Sequence, residues 1–157
     1  MHYRPYEPGD FDALYAIEEA CFQPPFRYSR RHVRQLIDAE SSATWIAQAK
    51  DAIAGFAIVE WARGDAGIGA YIPTIEVAPQ FRKQGIGDEL MRLMEASARA
   101  AGAQEIRLHV ALENTAAMRL YERHGYVCLG TKEHFYAPDR GAHVYGKRLI
   151  SAGPPSA

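Results

Sequence analysis

The sequence has little that would place the protein in a membrane, in a disulfide-bonded fold or on a nucleic acid. Its longest apolar run, Ile53 to Val59, is far shorter than the roughly 20 residues of a membrane-spanning helix. The two cysteines, Cys21 and Cys128, are too few and too far apart for a disulfide framework. A formal net charge of −1 gives no overall basic field for nucleic acid or an anionic membrane. The first residues lack the hydrophobic segment of a signal peptide, so we expect a cytoplasmic protein.

Length and composition predict one globular domain. The chain has 157 residues, of which 48% are hydrophobic and 24% charged, and such values are typical of a soluble domain with a single substantial core. We place the domain at residues 1–150. Residues 151–157 consist of serine, alanine, glycine and proline and are predicted to form a flexible tail. None of the histidines stands at metal-ligand spacing, so no metal site is predicted.

Apolar patterns predict strands interspersed with helices. A strand at 2–6 leads into a helix that Asp10 caps, and Ser29 caps a second helix. Further strands are expected at 44–49, 53–62, 70–78, 104–112, 126–131 and 142–149, with loops at 63–69 and 132–141. Because proline cannot donate to a sheet ladder, Pro73 predicts an edge, a bulge or a gap beside the strand at 70–78. This order of elements indicates a mixed α/β sheet.

The stretch from Ile75 to Gly87 carries the strongest functional signal. An apolar strand ends there in a basic turn with two glycines, and a helix with an apolar stripe follows. The first turn of a helix has unpaired N–H groups and the positive end of the helix dipole, so it can bind an anion. Gly85 and Gly87 let phosphate oxygens approach the main chain, and Arg82 and Lys83 add cationic donors. The turn therefore predicts a pyrophosphate site.

Two common phosphate-binding loops do not fit this turn. A Walker loop ends in Gly-Lys-Ser/Thr, whereas Gly87 is followed by Asp88. A Rossmann turn needs a third glycine three residues on, and Leu90 stands there. Both alternatives are therefore excluded.

The run Arg-Lys-Gln-Gly-Ile-Gly at 82–87 resembles the acyl-CoA signature of the GNAT superfamily of N-acetyltransferases, Arg/Gln-x-x-Gly-x-Gly/Ala. The resemblance covers nearly the whole chain and is weakest before residue 44. It implies a GNAT fold, in which helices flank a central, mixed and twisted sheet whose neighbouring parallel strands splay apart. It also implies that acetyl-CoA is the cosubstrate, with its pantetheine arm in the opening. The residues that it assigns to the acetyl-CoA site are Ile75, Val77, Arg82, Lys83, Gln84, Gly85, Ile86, Gly87 and Asn114.

Acetyl transfer needs a base for the ammonium and an acid for the leaving thiolate. Tyr121 matches the family tyrosine that acts as general acid near the thioester sulfur. The resemblance is to the ribosomal-protein-alanine and N-terminal acetyltransferase branch, where a Leu-His-Val strand motif carries the proposed base, and His109 matches it. Tyr71 stands where some members of that branch have a tyrosine that acts with the histidine. From the residues alone, Tyr121 could instead be a buried aromatic, His109 a structural histidine and Asn114 a helix cap.

Two loops are candidates for contact with the acceptor. The segment Cys21 to Tyr28 holds two prolines and several aromatic residues, and it either packs at the core edge or walls a pocket. It resembles a Phe-Pro-x-Pro-Trp segment of the same branch, which assigns Phe26 to the acceptor. The run His-Phe-Tyr at 134–136 resembles an Asn-Tyr-Tyr run at the peptide entry. Tyr136 is retained there, whereas Phe135 lacks the hydroxyl of the first tyrosine.

Together these features predict an acetyl-CoA-dependent N-acetyltransferase that acts on the α-amine of a protein or peptide N-terminus. Deprotonation at pH 7 costs roughly 1 kcal/mol for an α-amine but about 4 to 5 for a lysine. One alternative is an enzyme for a small-molecule amine such as a polyamine or an aminoglycoside. Another is a module that binds acyl-CoA without turnover, although the presence of Tyr121 and His109 favours catalysis. No nucleic-acid or membrane partner is predicted, and either His109 or Tyr71 is the base.

Overall fold

The computed structural model describes residues 1–138 and 140–149. Its strands are β1 (His2–Pro5), β2 (Ser42–Gln48), β3 (Ile53–Gly64), β4 (Gly67–Val77), β5 (Ala103–Ala111), β6 (Val127–Ala137) and β7 (Arg140–Arg148). Its α-helices are α1 (Phe11–Cys21), α2 (Arg30–Asp38), α3 (Ile86–Ala100) and α4 (Thr115–Arg123). The tail predicted at 151–157 lies outside the described residues and stays a prediction.

The strands form one seven-stranded sheet in the order β1-β2-β3-β4-β5-β7-β6. The pair β4–β5 is parallel and the other neighbouring pairs are antiparallel. The parallel ladder runs from Ile68, opposite Ala103, to Ile72, opposite Leu108, and then stops. From that point to Val77, β4 continues beside β3 alone, whereas β5 continues beside β7. The two parallel strands therefore splay apart, and the mixed sheet predicted from the sequence is confirmed.

Pro73 marks the place where the strands part. It directly follows Ile72, the last residue of β4 that pairs with β5. On its other side, the register of β3 against β4 shifts between Ile58 and Glu60. Because proline has no N–H to donate, both the gap and the bulge fall where the ladder would have lost a hydrogen bond. The expectation for Pro73 is confirmed on both sides.

Two apolar clusters hold helices against opposite faces of the sheet. Alternate residues of β3 point to opposite faces, and all four between Phe56 and Val59 are fully buried. One face packs against α3, and its buried members include Ala57, Val59, Leu90, Met94 and Ala98. The other packs against α1 and α2, and its members include Phe11, Leu14, Val33, Phe56 and Ile58. Each large apolar side chain contributes about 1.5 to 3 kcal/mol on burial, so the clusters fix α3 beside the opening.

Two segments expected to be loops are hairpins. β3 and β4 pair as far as Gly64 and Gly67, so only two residues connect them. Gly67 has a φ of 116°, which a residue with a Cβ atom rarely adopts. The loop expected at 132–141 is mostly the ends of β6 and β7, which pair again at Ala137 and Arg140. The prediction failed because nine consecutive residues from Val127 are exposed, so β6 shows no alternation of apolar and polar residues.

Candidate active site

The two glycines of the turn between β4 and α3 have different surroundings. Gly85 is the N-cap of α3 and has φ 80° and ψ 7°, in the left-handed region. A Cβ atom there would meet nothing within 4 Å, so the backbone angle alone requires glycine. At Gly87, a Cβ atom would lie 3.4 Å from Leu120 Cδ2 on α4. That is an ordinary van der Waals distance, so contact with α4 does not by itself require glycine at this position.

The three polar residues at 82–84, in the turn between β4 and α3, differ in their contacts and backbone conformation. Arg82 folds back onto the end of β4, where its Nε donates to the Val77 carbonyl oxygen at 3.2 Å. A second nitrogen of Arg82 lies 3.4 Å from Cys21 Sγ. Lys83 has a positive φ of 64°, which is uncommon outside glycine. Gln84 is exposed.

Two adjoining cavities lie along the opening between β4 and β5. The turn cavity, of about 520 Å³, is bordered by Arg82, Lys83, Gly85, Ile86 and Gly87. The aromatic cavity, of about 410 Å³, is bordered by Phe26, His109, Tyr121 and Tyr136. Both cavities share the lining residues Cys21, Phe22, Ile75, Asn114 and Ala117. Of the residues assigned to acetyl-CoA, all except Gln84 line the turn cavity, and their binding role stays a prediction.

Asn114 and Tyr121 stand at opposite ends of α4. The Asn114 side chain accepts a hydrogen bond from the Ala117 N–H at 3.1 Å, so it caps the helix. It also borders both cavities, and a cap and a ligand contact are geometrically compatible. Tyr121 is only 7% exposed, and burial raises its pKa well above the usual value. Its phenol is therefore protonated at neutral pH and is available to donate a proton into the aromatic cavity.

Tyr71 and His109 meet where the parallel strands part. The Tyr71 hydroxyl oxygen lies 2.8 Å from His109 Nδ1. Burial raises the pKa of Tyr71 above its usual value. Burial and, secondarily, the charge of Lys132 lower the pKa of His109. At neutral pH the phenol is thus protonated and the imidazole neutral, so the imidazole can accept one more proton.

The two predicted acceptor loops come together over the aromatic cavity. The Phe26 and Tyr136 rings pack edge to face with centroids 5.0 Å apart. The Cys21–Tyr28 segment therefore walls a pocket, which was one of its two predicted roles. Among the further lining residues, Phe22 and Tyr28 belong to this segment but were not named individually as acceptor contacts, and Glu113 was not predicted. The aromatic content of the segment was the available signal for Phe22 and Tyr28.

A buried pair of carboxyl groups ties this wall to β4. Glu18 on α1 and Glu76 on β4 are 0% and 3% exposed. Glu18 Oε2 accepts from the Tyr28 N–H at 3.1 Å, and the Thr74 hydroxyl donates to Glu76. Burial and the neighbouring Glu18 raise the pKa of Glu76 well above the usual range. Sequence patterns gave no sign of this pair, since glutamates on an amphipathic helix are normally assigned to its solvated face.

Within the described part of the chain, no group of three or more His, Cys, Asp or Glu residues is placed to hold a metal ion. Over the same residues, no helix combines the length and apolar character needed to cross a membrane.

The sequence matches the model of one protein family. The family model of the acetyltransferase (GNAT) family matches residues 11–126. Streptothricin acetyltransferase of Streptomyces lavendulae is 37% identical over 100 residues, which are 63% of this chain and 51% of that protein. The chain spans between 46% and 65% of the length of the first curated relatives that it matches.

Solved structures show the same fold. The ribosomal-protein-S18-alanine N-acetyltransferase from Escherichia coli superposes with a TM-score of 0.83 at 22% identity, covering 99% of this chain and 98% of that one. Arabidopsis thaliana NAA60 in complex with acetyl-CoA gives 0.82 at 22% identity, with 94% and 97% covered. The predicted fold and the predicted resemblance to these acetyltransferases are confirmed. With its splayed parallel strands, glycine turn and matching residues 11–126, the chain belongs to the acetyltransferase (GNAT) family.

Proposed function

We propose that the protein transfers the acetyl group of acetyl-CoA to the α-amine of a protein or peptide N-terminus. The observation that carries the proposal is the 2.8 Å contact between Tyr71 and His109, because it places a neutral base beside the opening. The turn cavity receives the pyrophosphate and the pantetheine arm, and the aromatic cavity receives the acceptor. NAA60, which shares the fold, binds acetyl-CoA, and this supports the assignment of the cosubstrate.

The opening itself favours an extended ligand arm. Beyond Ile72 the ladder between β4 and β5 has ended, so the edge of β4 that faces β5 is free of that pairing. An arm with amide groups can pair with such an edge as an added strand does. Ile75 and Val77, which border the turn cavity, lie on this part of β4. We therefore place the pantetheine amides alongside them.

The chemistry divides between two sides of the aromatic cavity. The amine nitrogen attacks the thioester carbonyl carbon, the C–S bond breaks and an amide forms. The proton lost by the ammonium reaches His109 Nδ1 through the Tyr71 hydroxyl, and Tyr121 gives its proton to the departing thiolate. Groups placed in this way typically contribute about 10² to 10⁴ in rate each.

Electrostatics favour an α-amine as acceptor. A base with a lowered pKa, such as His109, removes a proton more readily from an amine near pKa about 8 than from a lysine near about 10.4. Among the described residues that line the aromatic cavity, Glu113 is the one carboxylate side chain. Such a wall offers little to a polycation.

The test is thiol release from acetyl-CoA with short peptides that differ in their first residue. Blocked lysine peptides and polyamines are the controls. We expect turnover with free peptide N-termini only, and a large loss of kcat in Tyr71→Phe and His109→Gln with unchanged KM for acetyl-CoA. Turnover that requires a lysine side chain would contradict the acceptor class.

A second candidate function is acetylation of a small-molecule amine. The similarity to streptothricin acetyltransferase over 63% of this chain favours it. Streptothricin and polyamines therefore belong in the same panel, and turnover confined to them would replace the N-terminal acceptor. Tight binding of acetyl-CoA without any turnover would instead indicate a non-catalytic acyl-CoA-binding module.

A further inference from the structure

Phe135 lies flat against the imidazole of His109. The ring centroids are 4.1 Å apart and the planes differ by 4°. Phe135 also meets Tyr136 edge to face, with centroids 4.8 Å apart and planes at 87°. Phe135 itself is 40% exposed. A large apolar ring at the end of β6 is therefore held between solvent and the histidine.

The two ring nitrogens of His109 have different surroundings. Nδ1 lies 2.8 Å from the Tyr71 hydroxyl. Nε2 is buried and has no hydrogen-bond partner within residues 1–138 and 140–149. Among the described residues, Nδ1 is therefore the ring nitrogen that has a partner through which a proton can move.

We propose that Phe135 is a positioning residue for His109: it covers one face of the imidazole, excludes water from the ring and leaves Tyr71 as the route for the acceptor proton. This inference rests on the proposed function. The ammonium proton moves to the Tyr71 oxygen while the Tyr71 hydroxyl proton moves to His109 Nδ1. The phenol is neutral before and after, and the imidazole becomes an imidazolium. Phe135 takes no proton and acts only through its contact with the His109 ring.

Other titratable groups face the same space and must be separated from the effect of Phe135. Tyr71 on β4 and Lys132 on β6 act on His109 directly. Besides His109, the titratable residues that line the aromatic cavity are Cys21, Tyr28, Glu113, Tyr121 and Tyr136. The influence of Lys132 is a charge effect that salt screens, whereas cover by an apolar ring is insensitive to salt. Ionic strength therefore distinguishes the two.

The experiment compares Phe135→Leu with Phe135→Tyr. Leucine keeps apolar volume but has no flat ring to cover the imidazole, whereas tyrosine keeps the ring. In Phe135→Leu we expect the pKa of His109 to rise, because water reaches the ring, and the acid limb of kcat/KM to move to higher pH. The loss of kcat/KM should be at least about threefold larger near pH 6 than near pH 8.5. Phe135→Tyr should restore the profile, and added salt should leave the shift in place.

A matched control is Phe26→Leu, since Phe26 packs edge-on against Tyr136 at the same cavity. This change should raise the acceptor KM without moving the acid limb. An unchanged limb in Phe135→Leu, or a loss confined to KM, would overturn the proposal. The proposal would also be overturned if NMR titration of the His109 ring protons gave the same pKa in the wild-type protein and in Phe135→Leu. That titration needs no substrate, so an absence of turnover with every amine counts against the proposed function and leaves the test of Phe135 intact.

Discussion

The Asn114 side chain accepts the Ala117 N–H at 3.1 Å while the same residue borders both cavities. One residue thus caps α4 and lies where the two cavities adjoin. Asn114→Ala removes both the cap and the amide, whereas Asn114→Ser keeps a capping oxygen. We expect the alanine variant to lose about 1 kcal/mol of unfolding free energy and the serine variant much less.

The KM for acetyl-CoA decides whether the amide of Asn114 has the second role. If it contacts the cosubstrate, both variants raise that KM. If Asn114→Ser has the wild-type KM, the residue is a cap alone. Thermal unfolding and steady-state kinetics on the two variants supply both readouts.

Gly85 and Gly102 allow a matched test of the turn. Both have left-handed backbones, with φ of 80° and 87°, and they stand at the two ends of α3. Alanine at either position should cost about 1 to 2 kcal/mol of stability. Only Gly85→Ala should raise the KM for acetyl-CoA, by about fivefold for each 1 kcal/mol of distortion. Equal effects on KM in both variants would show that the turn has no specific role.

Tyr121→Phe tests the proton donor. Removal of the hydroxyl should lower kcat by about 10² or more and leave the KM of both substrates nearly unchanged. Tyr126→Phe is the control, because its ring centroid lies 6.1 Å from that of Tyr121 and it lines neither cavity. Wild-type kcat in Tyr121→Phe would remove this residue from the mechanism.

Glu76 should make stability depend on pH. Its folded-state pKa is raised by burial and by Glu18, so the folded protein holds this proton more tightly than the unfolded chain. Its contribution is then fully present below the ordinary carboxyl pKa and is lost as pH rises towards the folded value. Glutamine mimics the protonated acid, so Glu76→Gln should retain stability at alkaline pH that the wild type loses.

Melting temperatures between about pH 5 and 9 test this expectation. Glu113→Gln, which alters an exposed carboxylate, should follow the wild-type curve. Parallel curves for Glu76→Gln and the wild type would show that Glu76 is ionised when folded.

Features that depend on neighbours in sequence could be predicted. The turn at 82–87, the start of α3 and the cap at Asn114 are local, because helix termini and glycine angles are decided within a few residues. The gap between β4 and β5 could be predicted from Pro73, because the lack of an N–H is a property of that residue alone. The roles of Tyr71 and His109 followed from family resemblance, and their contact depends on the register of two strands 38 residues apart.

Features that depend on tertiary burial could not be predicted from the sequence. β6 was underestimated because its side chains are exposed on both faces, so no periodicity marks it. The Glu18–Glu76 pair was missed because a carboxylate side chain gives no sign in sequence that it will be enclosed. The stack of Phe135 on His109 joins β6 to β5 across β7, and no local pattern indicates it.

The end of the β4–β5 ladder at Ile72 divides the sheet into two panels joined by a short seam. One panel, β1 to β4, holds Tyr71, and the other, β5 to β7, holds His109. We expect a molecule bound in the gap to contact both panels and so to restrict the distance between Tyr71 and His109. We expect the amides of residues 74–77 that point away from β3 to exchange more slowly with deuterium when the gap is filled. Slower hydrogen exchange in this part of β4 would therefore report ligand binding in the gap, even when no turnover takes place.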